Sequence, residues 1–184
     1  MILVVGTGRC GSSAVAATLE RMGWDFGGKG TVRPETPDGD YEDRVFKELN
    51  WRFAKREIAQ DEYIRLLRDH IAGKKEPWGL KHPLIAEFPM VVAEALPDDM
   101  IVVWVQRDLA DTIESWKRTF PGPDDFCQIW VPFRHFTLAA WLWKKPHIRI
   151  DMTNRVSEAA LEKALADAMD QLVEIKSIDH LTPA

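Results

Sequence analysis

The chain opens with a four-residue apolar run, Ile2 to Val5, breaks into Gly-Thr-Gly-Arg-Cys-Gly-Ser-Ser, and continues with Val15, Leu19 and Met22 at helical spacing. A short β-branched and aliphatic run predicts a strand covered on both faces, and the recurrence after it predicts a helix. Tyr41, Val45, Leu49 and Phe53 predict a second helix, with Ile64, Leu67 and Ile71 marking a third. A short strand then reaches Lys81 and stops at Pro83, and Ile85 to Leu96 reads as a helix bounded by Pro97 and Asp98. Ile101 to Val105 is the clearest strand, and Asp108 and Asp111 supply acidic residues for the helix start beyond it. Phe120-Pro-Gly-Pro-Asp-Asp interrupts the pattern before a helix through about Trp143. Ile148 to Ile150 predict a last strand, and Leu161, Leu165, Met169 and Leu172 form the stripe of a terminal amphipathic helix with Ser157 at its cap. Strands alternating with helices predict an α/β fold, doubly wound around a mostly parallel central sheet.

The first loop carries the chemistry. Gly6, Gly8 and Gly11 permit a tight turn, and the helix after it presents unpaired backbone N–H groups and the positive end of its dipole to an anion. This predicts a P-loop-type three-layer sandwich. Gly6-xxxx-Gly11-Ser12-Ser13 has the phosphate-loop spacing, but Ser12 stands where a nucleotide-hydrolysing loop carries lysine. Gly6-x-Gly8-x-x-Gly11 also fits a dinucleotide fingerprint, which demands a second strand ending in an acidic residue; residues 23 to 43 contain no apolar run to form it. Arg9 is the cation inside the cradle, a planar donor fork beside two hydroxyls. Cys10 sits in the same loop and reads as a small loop residue, since no His or second Cys lies near it in sequence.

Arg9-Cys10-Gly11-Ser12-Ser13 resembles the first motif of the sulfotransferases that use 3′-phosphoadenosine 5′-phosphosulfate (PAPS). The strand ending at Arg107, with Asp111 and then Ser115 on the following helix, is similar to that family's second motif. Trp78 to Pro83 looks like its lysine-bearing strand end, and Gly39 to Asn50 like the glycine-aromatic-glutamate segment of many bacterial members. These segments span most of Ile2 to Trp116. The resemblance implies that Gly8, Arg9, Cys10, Gly11, Ser12 and Ser13 hold the phosphosulfate, and that Arg107 and Ser115 select the 3′-phosphate. It further implies that Lys81 contacts the leaving oxygen, with PAP as the product. A glycine-rich, lysine-bearing loop that many members place near the C-terminus is not found in Pro146 to Ala184. The chain is also shorter than most members, so an acceptor-covering segment is expected to be reduced or supplied by a partner subunit.

The activity expected from this resemblance is metal-free, in-line sulfuryl transfer to a hydroxyl or amine, with Arg9 and Lys81 stabilising the charge that grows on the departing oxygens. His82 and Glu42 are equal candidates for the general base: an unperturbed imidazole titrates near neutrality, whereas Glu42 is expected to begin a helix after a flexible loop. The acceptor class stays open among small molecule, glycan, lipid and peptide. The loop from Gly23 to Asp40 and the aromatic segment from Pro121 to Trp143 are expected to recognise it. Trp130, Phe133, Phe136, Trp141 and Trp143 in that segment read first as core or dimer packing, and second as an apolar acceptor pocket.

Composition narrows the partners. At 184 residues and 46% hydrophobic content the chain is ample for the single domain expected here. A net charge of −5 argues against nucleic acid as a partner, so an anionic donor requires local cations such as Arg9, Lys81 and Arg107. Two cysteines make no disulfide framework, and no apolar run is long enough to span a membrane, which predicts a cytoplasmic protein. His70, His135, His147 and His180 lack metal-ligand spacing, and Lys74-Lys75 reads as a solvated turn. The alternatives are a nucleotide or small-molecule kinase, an NAD(P)-binding oxidoreductase, and a noncatalytic nucleotide-binding module.

Overall fold

A computed structural model describes residues 1–32, 39–120, 122–143, 145–154 and 156–179, with the side chains of 124 and 172–179 outside the description. Leu172 as a buried side chain, His180, Pro121 and positions 33–38 of the glycine-rich loop therefore fall outside the described residues. Four strands, β1 (Ile2–Val5), β2 (Gly79–Lys81), β3 (Ile101–Gln106) and β4 (Ile148–Asp151), form one sheet in the order β2-β1-β3-β4. Every pairing is parallel, with Ile2 opposite both Gly79 and Ile101, and Val103 opposite Ile148. Helices α1 (Ser12–Arg21), α2 (Arg44–Ala54), α3 (Gln60–Ile71), α4 (Pro89–Ala95), α5 (Leu109–Thr119), α6 (Asp124–Leu142) and α7 (Glu158–Asp179) complete the chain.

Because successive strand residues point to opposite faces, the sheet separates two cores. Leu3, Val5, Leu80, Val102 and Trp104 pack on one face against side chains of α2, α3, α4 and α6, including Phe46, Leu67, Val92 and Leu138. Ile2, Val4, Val103, Val105, Ile148 and Ile150 pack on the other against Val15 and Leu19 of α1 and Leu161 and Leu165 of α7. The result is the three-layer α/β sandwich expected from the alternation of elements. No described helix is long and apolar enough to cross a membrane.

Two boundaries differ from the pattern. Ile85 to Leu96 is not one helix: a 3-10 turn at Pro83–Glu87 is followed by a break at Phe88 (φ −143, ψ 52) before α4. Pro89 has no N–H to continue the ladder and disfavours helical geometry at the residue before it. Glu42 does not begin a helix either. Asp43 is the cap, accepting from the Phe46 amide at 2.9 Å, so α2 starts at Arg44 and leaves Tyr41 (φ 53) and Glu42 ahead of it. That register turns Phe46, Leu49 and Asn50 inward and leaves Val45 exposed.

Candidate active site

Parallel sheets gather ligands at the carboxyl ends of their strands, and here three strand ends open into one cavity of about 830 Å³. After β1 the chain turns through Gly8 (φ 80), Arg9 (φ 57) and Gly11 (φ 95). A Cβ on Gly8 would lie 2.7 Å from the Trp116 ring, so glycine is required there by contact as well as by conformation, whereas at Gly11 the positive φ is the stronger demand, the nearest neighbour being the Met152 side chain at 3.1 Å. Arg9 holds a left-handed conformation that costs a non-glycine residue about 1–2 kcal/mol. Gly11 caps α1 with no side-chain acceptor, so the first N–H groups of the helix face the cavity with no side-chain cap.

Gly8, Arg9, Gly11, Ser12, Ser13, Glu42, Lys81, His82, Arg107 and Ser115 all line this cavity. Cys10 does not. Its side chain is 1% exposed and packs with Val15 and Val105 in the α1-side core, while its sulfur occupies the space a Cβ on Gly6 would need. Cys10 offers an incoming ligand its backbone only. Arg9 Nε donates to Ser115 Oγ at 3.3 Å, so the loop cation and the α5 hydroxyl, expected at separate ends of a ligand, meet directly. Arg107 bonds Asp111 at 3.2 Å through one terminal nitrogen and leaves its buried Nε without a partner. An unpaired buried donor is costly, and a phosphate oxygen would satisfy it.

Lys81 ends β2 and is nearly buried. Its Nζ donates to the Asp40 carbonyl at 2.7 Å, Ser13 Oγ at 3.1 Å and Glu42 Oε1 at 3.1 Å, tying the start of α1 to the segment before α2. Lys47, one turn into α2, pairs with the other Glu42 oxygen at 2.8 Å and with Asp40 at 3.0 Å. Burial alone would depress the Lys47 ammonium, but its bonds to Glu42 and Asp40 more than offset this and hold it above its ordinary value. His82 follows Lys81 in extended geometry just before the Pro83 turn, so both side chains reach the cavity. Its ring is enclosed edge-on by Phe46 and Trp51, with Nε2 3.8 Å from Glu42. Burial first, then the charges of Lys81, Lys47 and Arg134, push its pKa down to about 3. Burial and the neighbouring cations thus disfavour the charged imidazolium, against the near-neutral titration expected of an unperturbed ring at His82.

Arg134 of α6 was not singled out by sequence. It is 4% exposed, donates to the Thr7 carbonyl at 3.2 Å and to Glu87, and lies over the rings of Trp116 at 5.2 Å and Trp130 at 5.8 Å. It braces the back of the glycine-rich loop. The available signal was a charge within an aromatic helical face, which has that significance only once α6 is known to cross the loop. Asp40 and Lys47 were also missed as partners of Lys81 and Glu42. Lys74, expected in a solvated turn, is instead held 2.8 Å from Asp43, which also lies 3.0 Å from the His70 ring.

The aromatic segment divides. Trp130 and Phe126 line the cavity with Trp51, Trp116 and Phe120, while Trp141 is core. Phe133, Phe136 and Trp143 are exposed. The cavity wall carries Arg9, Lys47, Lys55, Lys81, Arg107 and Arg134 against Asp40, Glu42 and Glu87, a local cationic excess in a chain of net charge −5. Among the described residues no His, Cys, Asp or Glu group has metal-holding geometry. No protein-family model, curated protein or solved structure matches this chain.

Proposed function

We propose that this chain is a sulfotransferase that moves a sulfuryl group from PAPS to a hydroxyl or amine. Convergence carries the proposal: an uncapped helix N-terminus with Arg9, an arginine with an unpaired buried Nε, and a lysine bonded to a carboxylate face one cavity from three adjacent strand ends. That arrangement suits a ligand with two separated anionic groups. Its volume lies in the upper part of the roughly 300–1,000 Å³ typical of ligand pockets, leaving space for a nucleotide and an acceptor.

PAPS supplies the activated sulfuryl group. Arg9 with the amides and hydroxyls of Ser12 and Ser13 holds the phosphosulfate, and Arg107 with Ser115 holds the 3′-phosphate. The acceptor oxygen or nitrogen forms the new bond to sulfur as the sulfur–oxygen bond to the 5′-phosphate breaks. The bonding electrons leave with PAP, and the acceptor proton passes to the Glu42 carboxylate. Lys81 stabilises the departing oxygen, where charge develops. The low pKa of His82 favours Glu42 over His82 as the base.

An oxidoreductase is disfavoured because the strand following α1 in sequence is Gly79–Lys81, with no acidic-ended strand between them among the described residues. A kinase is disfavoured by Ser12 at the lysine position of the loop. Calorimetric titration tests the assignment. PAP is expected to bind more tightly than ADP or NAD, with Arg107→Ala removing most of that preference. ADP or NAD binding in preference to PAP overturns it.

A further inference from the structure

The outward face of α6 presents Phe126, Ile129, Phe133, Phe136, Ala140 and, at its C-cap, Trp143. The five larger side chains expose between 47% and 81% of their surface. They follow one another by steps of three, four, three, four and three residues, the seam along which two helices pack knobs into holes. Amphipathic helices normally turn their apolar positions to the core, and α6 already does so with Val131, Leu138 and Leu142. The second stripe is additional.

We propose that two copies of the chain pair through this stripe as an antiparallel, two-fold dimer. The order of spacings reads the same in both directions. A two-fold axis between Phe133 and Phe136 therefore sets Phe126 against the partner's Trp143, Ile129 against the partner's Ala140, and Phe133 against the partner's Phe136. An isologous contact requires this self-complementarity. Large aromatic side chains carry roughly 150–250 Å² each, so at these exposures one chain offers on the order of 600 Å² and a pair buries about 1,200 Å², the lower edge of stable specific interfaces. By sequence the flanking positions are Asp125, Trp130, Pro132, Thr137, Ala139 and Lys144. The only two charges in that set stand at opposite ends and are of opposite sign, so antiparallel pairing brings position 125 of one copy toward position 144 of the other and sets no like charges against each other. The chain's own terminal helix does not cover the stripe, since α7 packs on α1 and β4 in the opposite layer.

The pairing reaches the cavity. Phe126 lines it and stacks on Trp130 at 5.4 Å, so the partner's Trp143, seated on Phe126, adds to its apolar wall.

Sedimentation equilibrium of the full chain tests the proposal without reference to catalysis. The expected mass is twice the 21.1 kDa of one chain, halving in Phe136→Glu with the circular dichroism spectrum unchanged. Cysteine crosslinking reads the geometry independently if that variant fails to fold. Ile129→Cys combined with Ala140→Cys is expected to give a disulfide-linked dimer, whereas Ala140→Cys alone, roughly 16 Å from its two-fold mate along the axis, is not; wild type controls for Cys10 and Cys127. A single-chain mass for wild type overturns the proposal. So does a dimer that persists in folded Phe136→Glu, or crosslinking by the single variant and not by the pair.

Discussion

At the residue scale, bonding partners separate two neighbours that sequence alone left equivalent. Glu42 bonds Lys81 and Lys47, whereas His82 keeps a buried Nδ1 with no partner. Glu42→Gln is expected to lower turnover by about 10²–10⁴-fold, the usual scale of a lost general base, while PAP affinity changes little. An activity profile with no inflection near the ordinary histidine value of 6.5 is the companion expectation. The buried ring also links pH to stability. Its pKa is lower in the folded state, so the unfolded chain binds the extra proton between about 3 and 6.5. The stability contributed by keeping this ring neutral is thus present above 6.5 and lost as pH falls toward 3. Urea titrations at stepped pH should show a shallower acid decline in His82→Asn than in wild type; equal slopes exclude His82 as the source.

At the element scale, one carboxylate decides where the segment carrying Glu42 ends and α2 begins. Burial alone would raise the pKa of Asp43, but His70, Lys74 and the Phe46 amide hold it well below the usual carboxylate range. It thereby caps α2, anchors the end of α3 and fixes the turn that presents Glu42 to Lys81. Asp43→Ala removes the cap and orphans two basic partners, with an expected cost of about 2–4 kcal/mol, measured as a lower urea midpoint at neutral pH. Asp43 also stabilises the fold above its ordinary value of 3.8, and that contribution is lost on further acidification. The cap was hard to read in advance because Asp40, Glu42 and Asp43 all precede the helix and only one satisfies an amide of the first turn. Pro89 was more legible, since a proline within Ile85 to Leu96 is itself a break signal. The apolar run on both sides obscured it.

At the scale of the whole molecule, an acidic chain concentrates cations where three parallel strands end. If PAP occupies that cavity, binding must raise folding stability by mass action. At one hundred times its dissociation constant the gain is about 2.7 kcal/mol, or roughly 5–10 °C in melting temperature for a chain of this size. Differential scanning fluorimetry should record that rise in wild type, and most of it should vanish in Arg107→Ala. An equal rise with ADP would show that the 3′-phosphate is not being selected.

The sequence by itself determined the four strands, their alternation with helices, the glycine-rich turn and the cavity residues that follow strand ends, Arg9, Lys81, His82 and Arg107. These follow from local rules: apolar period, glycine at left-handed turns, and polar side chains at strand ends. Only the tertiary structure decided that Cys10 faces the core, that Arg134 braces the loop from a distant helix, that Arg9 meets Ser115, and that burial lowers the pKa of His82. Each depends on which distant elements pack together. Desolvation and charge pairing act through space, and their strength is set by distances that sequence separation does not encode.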